Sequence, residues 1–148
     1  ENWDAAIFAQ AGLERINLRP VNSVVLDWML PAPAQGAIVI VSREDDAFSF
    51  EACQLLNHES TARCTKIERD FLRTLLGGCS TPISALAVEE NDIIHFKGNI
   101  LSLNGREKLE IEREAKSILS AELGNQAARE ILEMGGQEIT NTIRNAAE

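Results

Sequence analysis

Cys79 is the residue best placed to do chemistry. It stands in Glu68-Arg69-Asp70-Phe71-Leu72-Arg73-Thr74-Leu75-Leu76-Gly77-Gly78-Cys79-Ser80-Thr81-Pro82-Ile83. An amphipathic pattern runs into two glycines, then the thiol, then a proline that opens a strand. This arrangement carries one thiol on a short loop between two regular elements. Thiolate is the reactive form, and it needs exposure and positive surroundings. The C-terminal end of a helix is the negative pole of the dipole. Local sequence therefore does not activate Cys79: its activation comes from elsewhere, or it is a small packed residue. Cys64 and Cys53 fall on apolar helix faces, where packing is the stronger reading.

The remaining candidates are sparser. His58 and His95 form neither a Cys–His pair nor a metal-ligand spacing. His58 lies at a helix-to-helix junction, where capping or exposure is the default. His95 alternates away from Ile94 and Phe96 and faces outward from a strand. Arg15 is the basic residue that stands out, and by itself it reads as a surface cation favouring a helix end. Gln35-Gly36 separates two prolines from a β-branched run. Loops of that kind face ligand clefts in α/β sheets, although tight turns look the same. Glu44-Asp45-Asp46 reads as a solvated turn, and Glu110, Glu112 and Glu114 as the outer side of a strand. Neither group makes an acid/base pair.

Periodicity places these residues on elements. Ala5, Phe8, Ala9, Gly12, Leu13 and Ile16 recur at three- and four-residue steps, predicting a helix over 4–16 that Pro20 ends. Val21 to Met29 reads as irregular or extended, and Pro31 and Pro33 exclude a helix over 30–34. Ala37-Ile38-Val39-Ile40-Val41 predicts a strand buried on both faces, for which the chain offers few neighbours. Ser49 to Leu56 reads as a short helix with Ala52, Cys53, Leu55 and Leu56 inside. Ser60 or Thr61 caps a longer helix with Cys64, Ile67, Phe71 and Leu75 on one stripe, ending at Gly77-Gly78.

From Ile83 the period changes to two. Strands are expected over 83–88, 93–103 and 106–113, joined by a turn at 89–92 and a type I′ hairpin at Asn104-Gly105. Gly98 reads as a bulge. Leu109 and Ile111 are expected inside. Ile118, Leu119, Leu123, Ala127, Ile131 and Leu132 then line a helical face. Gly124-Asn125 is the place where that helix splits, and Gly135-Gly136 ends it. The last residues read as helical and exposed. The expected class is α+β, with a three-stranded antiparallel sheet and helices on one face over 61–148. Residues 1–60 read as partial segments of α/β domains.

Composition narrows the function. The 148 residues are 45% hydrophobic and 25% charged, with a net charge of -9 and no Tyr. No basic face exists for nucleic acid, and no apolar run is long enough to span a bilayer. Three cysteines without metal or disulfide spacing suit a reducing cytoplasm. The start, Glu1-Asn2-Trp3-Asp4, has neither initiator Met nor signal-peptide core, and reads as a chain entered mid-sequence.

Four motifs in order resemble hydroxymethylbilane synthase, also called porphobilinogen deaminase. Glu68-Arg69-x-Phe71-Leu72-x-x-Leu75-x-Gly77-Gly78-Cys79-x-x-Pro82-Ile83 is similar to that family's cofactor-attachment signature. Asp4-Ala5 through Ala11-Gly12-Leu13-x-Arg15, Leu30-Pro31-Ala32-x-x-Gln35-Gly36-Ala37, and Leu55-x-Asn57-His58-x-x-Thr61 are similar to three further segments. Ala34 departs from the pattern, standing where the family usually has Gly.

The resemblance implies a three-domain cytoplasmic transferase of tetrapyrrole (heme) biosynthesis. Such an enzyme joins four porphobilinogens head to tail with loss of ammonia, giving hydroxymethylbilane. It implies a dipyrromethane cofactor held by thioether on Cys79 as primer. Arg15 would pair with an acetate or propionate of cofactor or substrate, and Ala9, Gln35 and Gly36 would line the cofactor cleft. Residues 1–60 would be pieces of the first two α/β domains, and 61–148 the C-terminal domain. The implied partners are porphobilinogen, linear pyrrole oligomers and the missing preceding domains, with neither nucleic acid nor membrane. The family's catalytic aspartate has no counterpart in this chain. The chain alone is therefore expected to be inactive, and to lack the cofactor if its assembly needs those domains. Two other readings are a non-catalytic pyrrole-carrying or ligand-binding domain, and an unrelated cysteine hydrolase. The lack of a His suitably placed for Cys79 weighs against the hydrolase.

Overall fold

The structure, a computed structural model, describes residues 3–75 and 81–147. Its organising element is a long helix, the third in the chain. The first two are short: α1 (Gln10–Arg15) and α2 (Ala47–Gln54). The third, α3 (Glu59–Thr74), begins at His58, whose imidazole accepts the Thr61 N–H at 3.3 Å. Capping thus falls to His58 rather than to Ser60 or Thr61. Glu59 in the first turn and Arg73 in the last match the helix dipole. Cys64, Ile67, Phe71 and Leu75 are buried as the stripe predicts. The helix ends at Thr74, ahead of Gly77-Gly78, which lie outside the described residues.

Three strands follow: β1 (Ile83–Glu90), β2 (Ile93–Leu101) and β3 (Lys108–Lys116). They form an antiparallel meander in the order β1-β2-β3. Asn91 and Asp92 both have positive φ, 51° and 63°. They therefore form the two-residue primed turn that suits the twist of a hairpin. At the second hairpin the expected type I′ turn is replaced by a wider loop. Only Gly105 is left-handed there, at φ 69°. Asn104 instead uses its side-chain oxygen to accept the Arg106 N–H at 3.0 Å and the Ser102 hydroxyl at 2.8 Å.

No bulge forms at Gly98. The register runs unbroken through Ala85, Gly98 and Ile111. The glycine is there for space, because a Cβ would lie 2.7 Å from Phe71 Cζ. Phe71 and Phe96 meet edge to face over this gap, with ring centroids 5.2 Å apart.

After a 3₁₀ turn (Ser117–Leu119), α4 (Leu123–Ile131) lies beside α3 on the same face of the sheet. Gly124 does not split α4. It lies within the helix, where a Cβ would sit 2.1 Å from Ile67 O, so it lets the two backbones approach closely. Leu123, Ala127, Ala128 and Ile131 are buried against α3 and the sheet. Ile118 and Leu119 are exposed, contrary to the expected stripe, because the 3₁₀ turn rotates them off the face. Gly135, at φ 110°, breaks the helical path before α5 (Gln137–Ala147). α5 is not wholly exposed: Ile139 and Thr140 are buried.

The first 58 residues behave differently. The expected helix over 4–16 shrinks to α1, which buries none of its residues. α2 starts at Asp46, whose carboxylate accepts the Ser49 N–H at 3.0 Å, and it too buries none of its residues. Leu55 and Leu56 are exposed rather than inside. The strand expected over 37–41 is absent, and Ile38 and Val41 are 95% and 85% exposed. A strand needs a partner to take its N–H and C=O groups, and none of the described residues pairs with 38–41.

Candidate functional site

The turn that carries Gln35 and Gly36 is built from short-range hydrogen bonds. Gln35 N–H donates to Ala32 O at 3.0 Å, and Ala37 N–H to Ala34 O at 3.3 Å. The Gln35 side-chain oxygen accepts the Ala32 N–H at 3.1 Å. Gln35 is exposed, and its amide nitrogen has no partner among the described residues. Two left-handed residues flank it, Ala34 at φ 60° and Gly36 at φ 86°. For alanine that conformation costs about 1–2 kcal/mol, so Ala34 is held there by its surroundings.

Glu68 holds it. From the middle of α3 its Oε2 accepts the Ala34 N–H at 2.6 Å, while its Oε1 accepts the Ala87 N–H at 2.8 Å on the free edge of β1. Beside this, Ala85 N–H donates to Pro31 O at 3.1 Å. The turn therefore lies along the unpaired edge of the sheet, and Glu68 fills in where a strand would have bonded. Its side chain is only 5% exposed. Burial pushes its carboxyl above the ordinary glutamate range, and the two backbone N–H groups pull the other way.

These residues line an open cleft of about 380 Å³. Gln35 and Gly36 form one side, Ser60, Cys64 and Glu68 of α3 another, and Ala87 and Glu89 of β1 the third. Arg63 pairs with Glu89 across its rim. The hydroxyls of Ser117 and Ser60, then Arg63, hold the Glu89 carboxyl below the usual range. Burial, then the nearby Glu89 and Glu68 carboxylates, raises the Cys64 thiol. Cys64 is thus a protonated packing residue and a poor nucleophile.

The other expected site residues are placed apart from this cleft. Ala9 is the exposed N-cap of α1, and Arg15 its exposed last residue, with no ion-pair partner among the described residues. Gln35 and Gly36 line the cleft; Ala9 and Arg15 do not. Cys79 lies outside the described residues. Beside the cleft, Gln35 offers a carboxamide N–H without a partner among the described residues, and no atom lies within 4 Å of a Cβ added to Gly36. Sequence reasoning gave Glu68 no role. The signal was a carboxylate four residues from Cys64 on an otherwise apolar face, where an acid is retained only with partners.

Comparison with known proteins agrees along the chain. Residues 1–51 match the family model described as porphobilinogen deaminase, dipyromethane cofactor binding domain. Residues 62–133 match that described as porphobilinogen deaminase, C-terminal domain. The porphobilinogen deaminase of Listeria innocua serovar 6a is 40% identical over 150 residues, covering 98% of this chain and 48% of that protein. The one from Thermus thermophilus is 39% identical over 145 residues, covering 96% and 48%. That of Exiguobacterium is 34% identical over 146 residues, covering 97% and 47%. The chain thus spans about half the length of the curated relatives it matches. Two domain models in chain order, with relatives that align over nearly the whole chain, place this chain in the porphobilinogen deaminase family.

Proposed function

We propose that this chain is the cofactor-carrying C-terminal part of a hydroxymethylbilane synthase. The whole enzyme would join four porphobilinogens head to tail. Each addition makes a carbon–carbon bond from the aminomethyl carbon to a terminal pyrrole, with loss of ammonia and of the pyrrole α-proton. A dipyrromethane attached to Cys79 would supply the first pyrrole terminus and remain when water releases the product. A thioether to carbon suits this role, because it survives repeated additions. Arg15 and the Gln35 amide would bind acetate and propionate groups, and Gly36, with no side chain, would leave the cleft open, with Ala9 beside it. The domain reading follows: 1–60 as parts of the first two domains, 61–148 as the third. A cytoplasmic location goes with it.

The observation that supports this most is the pair of family matches in chain order, over 1–51 and 62–133. The family's catalytic aspartate has no counterpart here, so the 148-residue chain alone is expected not to release ammonia from porphobilinogen. The test joins the chain behind the unmatched half of the Listeria innocua relative. Intact mass should then show one dipyrromethane on the chain, lost in Cys79→Ser, and ammonia release should appear. A Cys79→Ser protein that kept the added mass would refute the attachment. Turnover by the chain alone would refute its inactivity.

A further inference from the structure

We propose that Glu68 is a positioning residue, whose carboxylate fixes the Gln35–Gly36 turn against the helix that leads to Cys79. The proposal rests on the functional reading above, in which both ends face the same pyrrole chain. Three observations carry it. Glu68 is a buried carboxylate to which that reading gives no chemical role. Its two oxygens bind two separate segments, Ala34 N–H at 2.6 Å and Ala87 N–H at 2.8 Å. Ala34 immediately precedes Gln35, and α3 ends five residues short of Cys79 in sequence.

The geometry makes the coupling direct. The segment before α2 is joined to the sheet-and-helix unit here, by Ala34 N–H to Glu68 and by Ala85 N–H to Pro31 O. A carboxylate accepts on both oxygens and donates on neither, so it can serve two N–H groups at once. A neutral amide of the same shape keeps one acceptor and turns an NH₂ toward the other N–H. An alanine offers neither. The left-handed Ala34 would then lose the contact that opposes its relaxation, and Gln35 and Gly36 would move with it.

Two measurements test this. The first is native-state amide exchange on the 148-residue chain. In the unsubstituted chain Ala34 and Ala87 should be protected. Glu68→Ala should raise exchange at both by about tenfold or more, and Glu68→Gln at one of the two, with β2 and β3 amides unchanged. Ala34 protection that survives in Glu68→Ala overturns the clasp. Should the alanine variant fail to fold, the isosteric glutamine variant carries the same test.

The second uses the chain joined to the relative's unmatched half. Glu68→Gln should raise KM for porphobilinogen, or lower the fraction of Cys79 carrying added mass, while kcat per loaded enzyme stays near the parent's. Unchanged KM and loading, alongside lost Ala34 protection, reduce Glu68 to a structural residue and overturn the positioning role. If the parent itself carries no added mass, the functional reading fails. The exchange result still decides whether the clasp exists.

Discussion

Gly124→Ala should destabilise the protein, although it puts a better helix former into α4. The added Cβ would lie 2.1 Å from Ile67 O, 3.0 Å from Ile67 C and 3.1 Å from Phe71 N. A carbon normally approaches a carbonyl oxygen to about 3.3 Å, so α4 and α3 would have to separate by about 1 Å. The obstacle is backbone and cannot swing aside. Separation would also loosen the packing of Ala127, Ala128 and Ile131, all buried at this seam. Overpacking costs about 1–3 kcal/mol, and a rigid obstacle puts this case at the upper end, about 3 kcal/mol. Replacing Gly by Ala inside a helix returns about 1 kcal/mol. The net loss is about 2 kcal/mol, roughly a thirtyfold fall in the folded-to-unfolded ratio. Urea unfolding followed by circular dichroism should show a midpoint lower by about 1 M at an unchanged slope. Gly12→Ala in α1 is the control. No atom lies within 4 Å of its added Cβ, and because α1 buries no residue its helix gain stays outside the cooperative unfolding of the sheet unit, so the change there should stay within about 0.5 kcal/mol. A Gly124→Ala midpoint equal to or above the parent's would refute the close-approach argument.

Acid stability should depend on Glu89. Ser117, Ser60 and Arg63 lower its folded pKa, so its contribution is present above the ordinary glutamate value of 4.5 and is lost as pH falls through the lower folded value. Thermal melts of Glu89→Gln should show less loss of stability on acidification than the parent, and an identical acid limb would contradict this. Glu68 works in the opposite sense. Its folded pKa is raised by burial, so its ionisation linkage is favourable below 4.5 and is lost as pH rises through the higher folded value. Relative to Glu68→Gln, the parent should therefore weaken above that range, and parallel profiles would count against it. Amides of 38–41 should exchange at rates close to an unfolded chain's, since no backbone hydrogen bond from the described residues holds them, while the central amides of β2 exchange by global opening. Slow exchange over 38–41 in the isolated chain would show that this segment has found a partner.

The sheet and α3 were legible because their signals are internal to one unit. The stripe of Cys64, Ile67, Phe71 and Leu75 meets the alternation of Ile94, Phe96 and Ile100, and each supplies the surface that the other needs. The glycines were misread for a physical reason. Gly98 and Gly124 look like interruptions when only the chain direction is considered. Both are made necessary by an atom from another element, a Phe71 ring carbon and the Ile67 carbonyl. That information lies in the packing and has no local sequence mark. Asn104-Gly105 was read as a primed turn from its residue types, but the Ser102 hydroxyl and the Asn104 carboxamide supplied a competing set of bonds.

The first 58 residues show the limit from the other side. The β-branched run at 37–41 has every residue preference of a buried strand, yet a strand is a property of a pair. With no strand neighbour among the described residues, the same residues stand in water, Ile38 at 95% exposure. The turn just before them is hydrogen-bonded where 38–41 are not, because it found a sheet edge. Pro31 O takes the Ala85 N–H, and Glu68 takes those of Ala34 and Ala87. Ala34 sharpens the point. Glycine would enter its left-handed conformation without strain, whereas alanine must be held there, and the holding group is a carboxylate 34 positions further on. The left-handed alanine and the buried acid therefore meet in one contact, although they lie in separate stretches of the sequence.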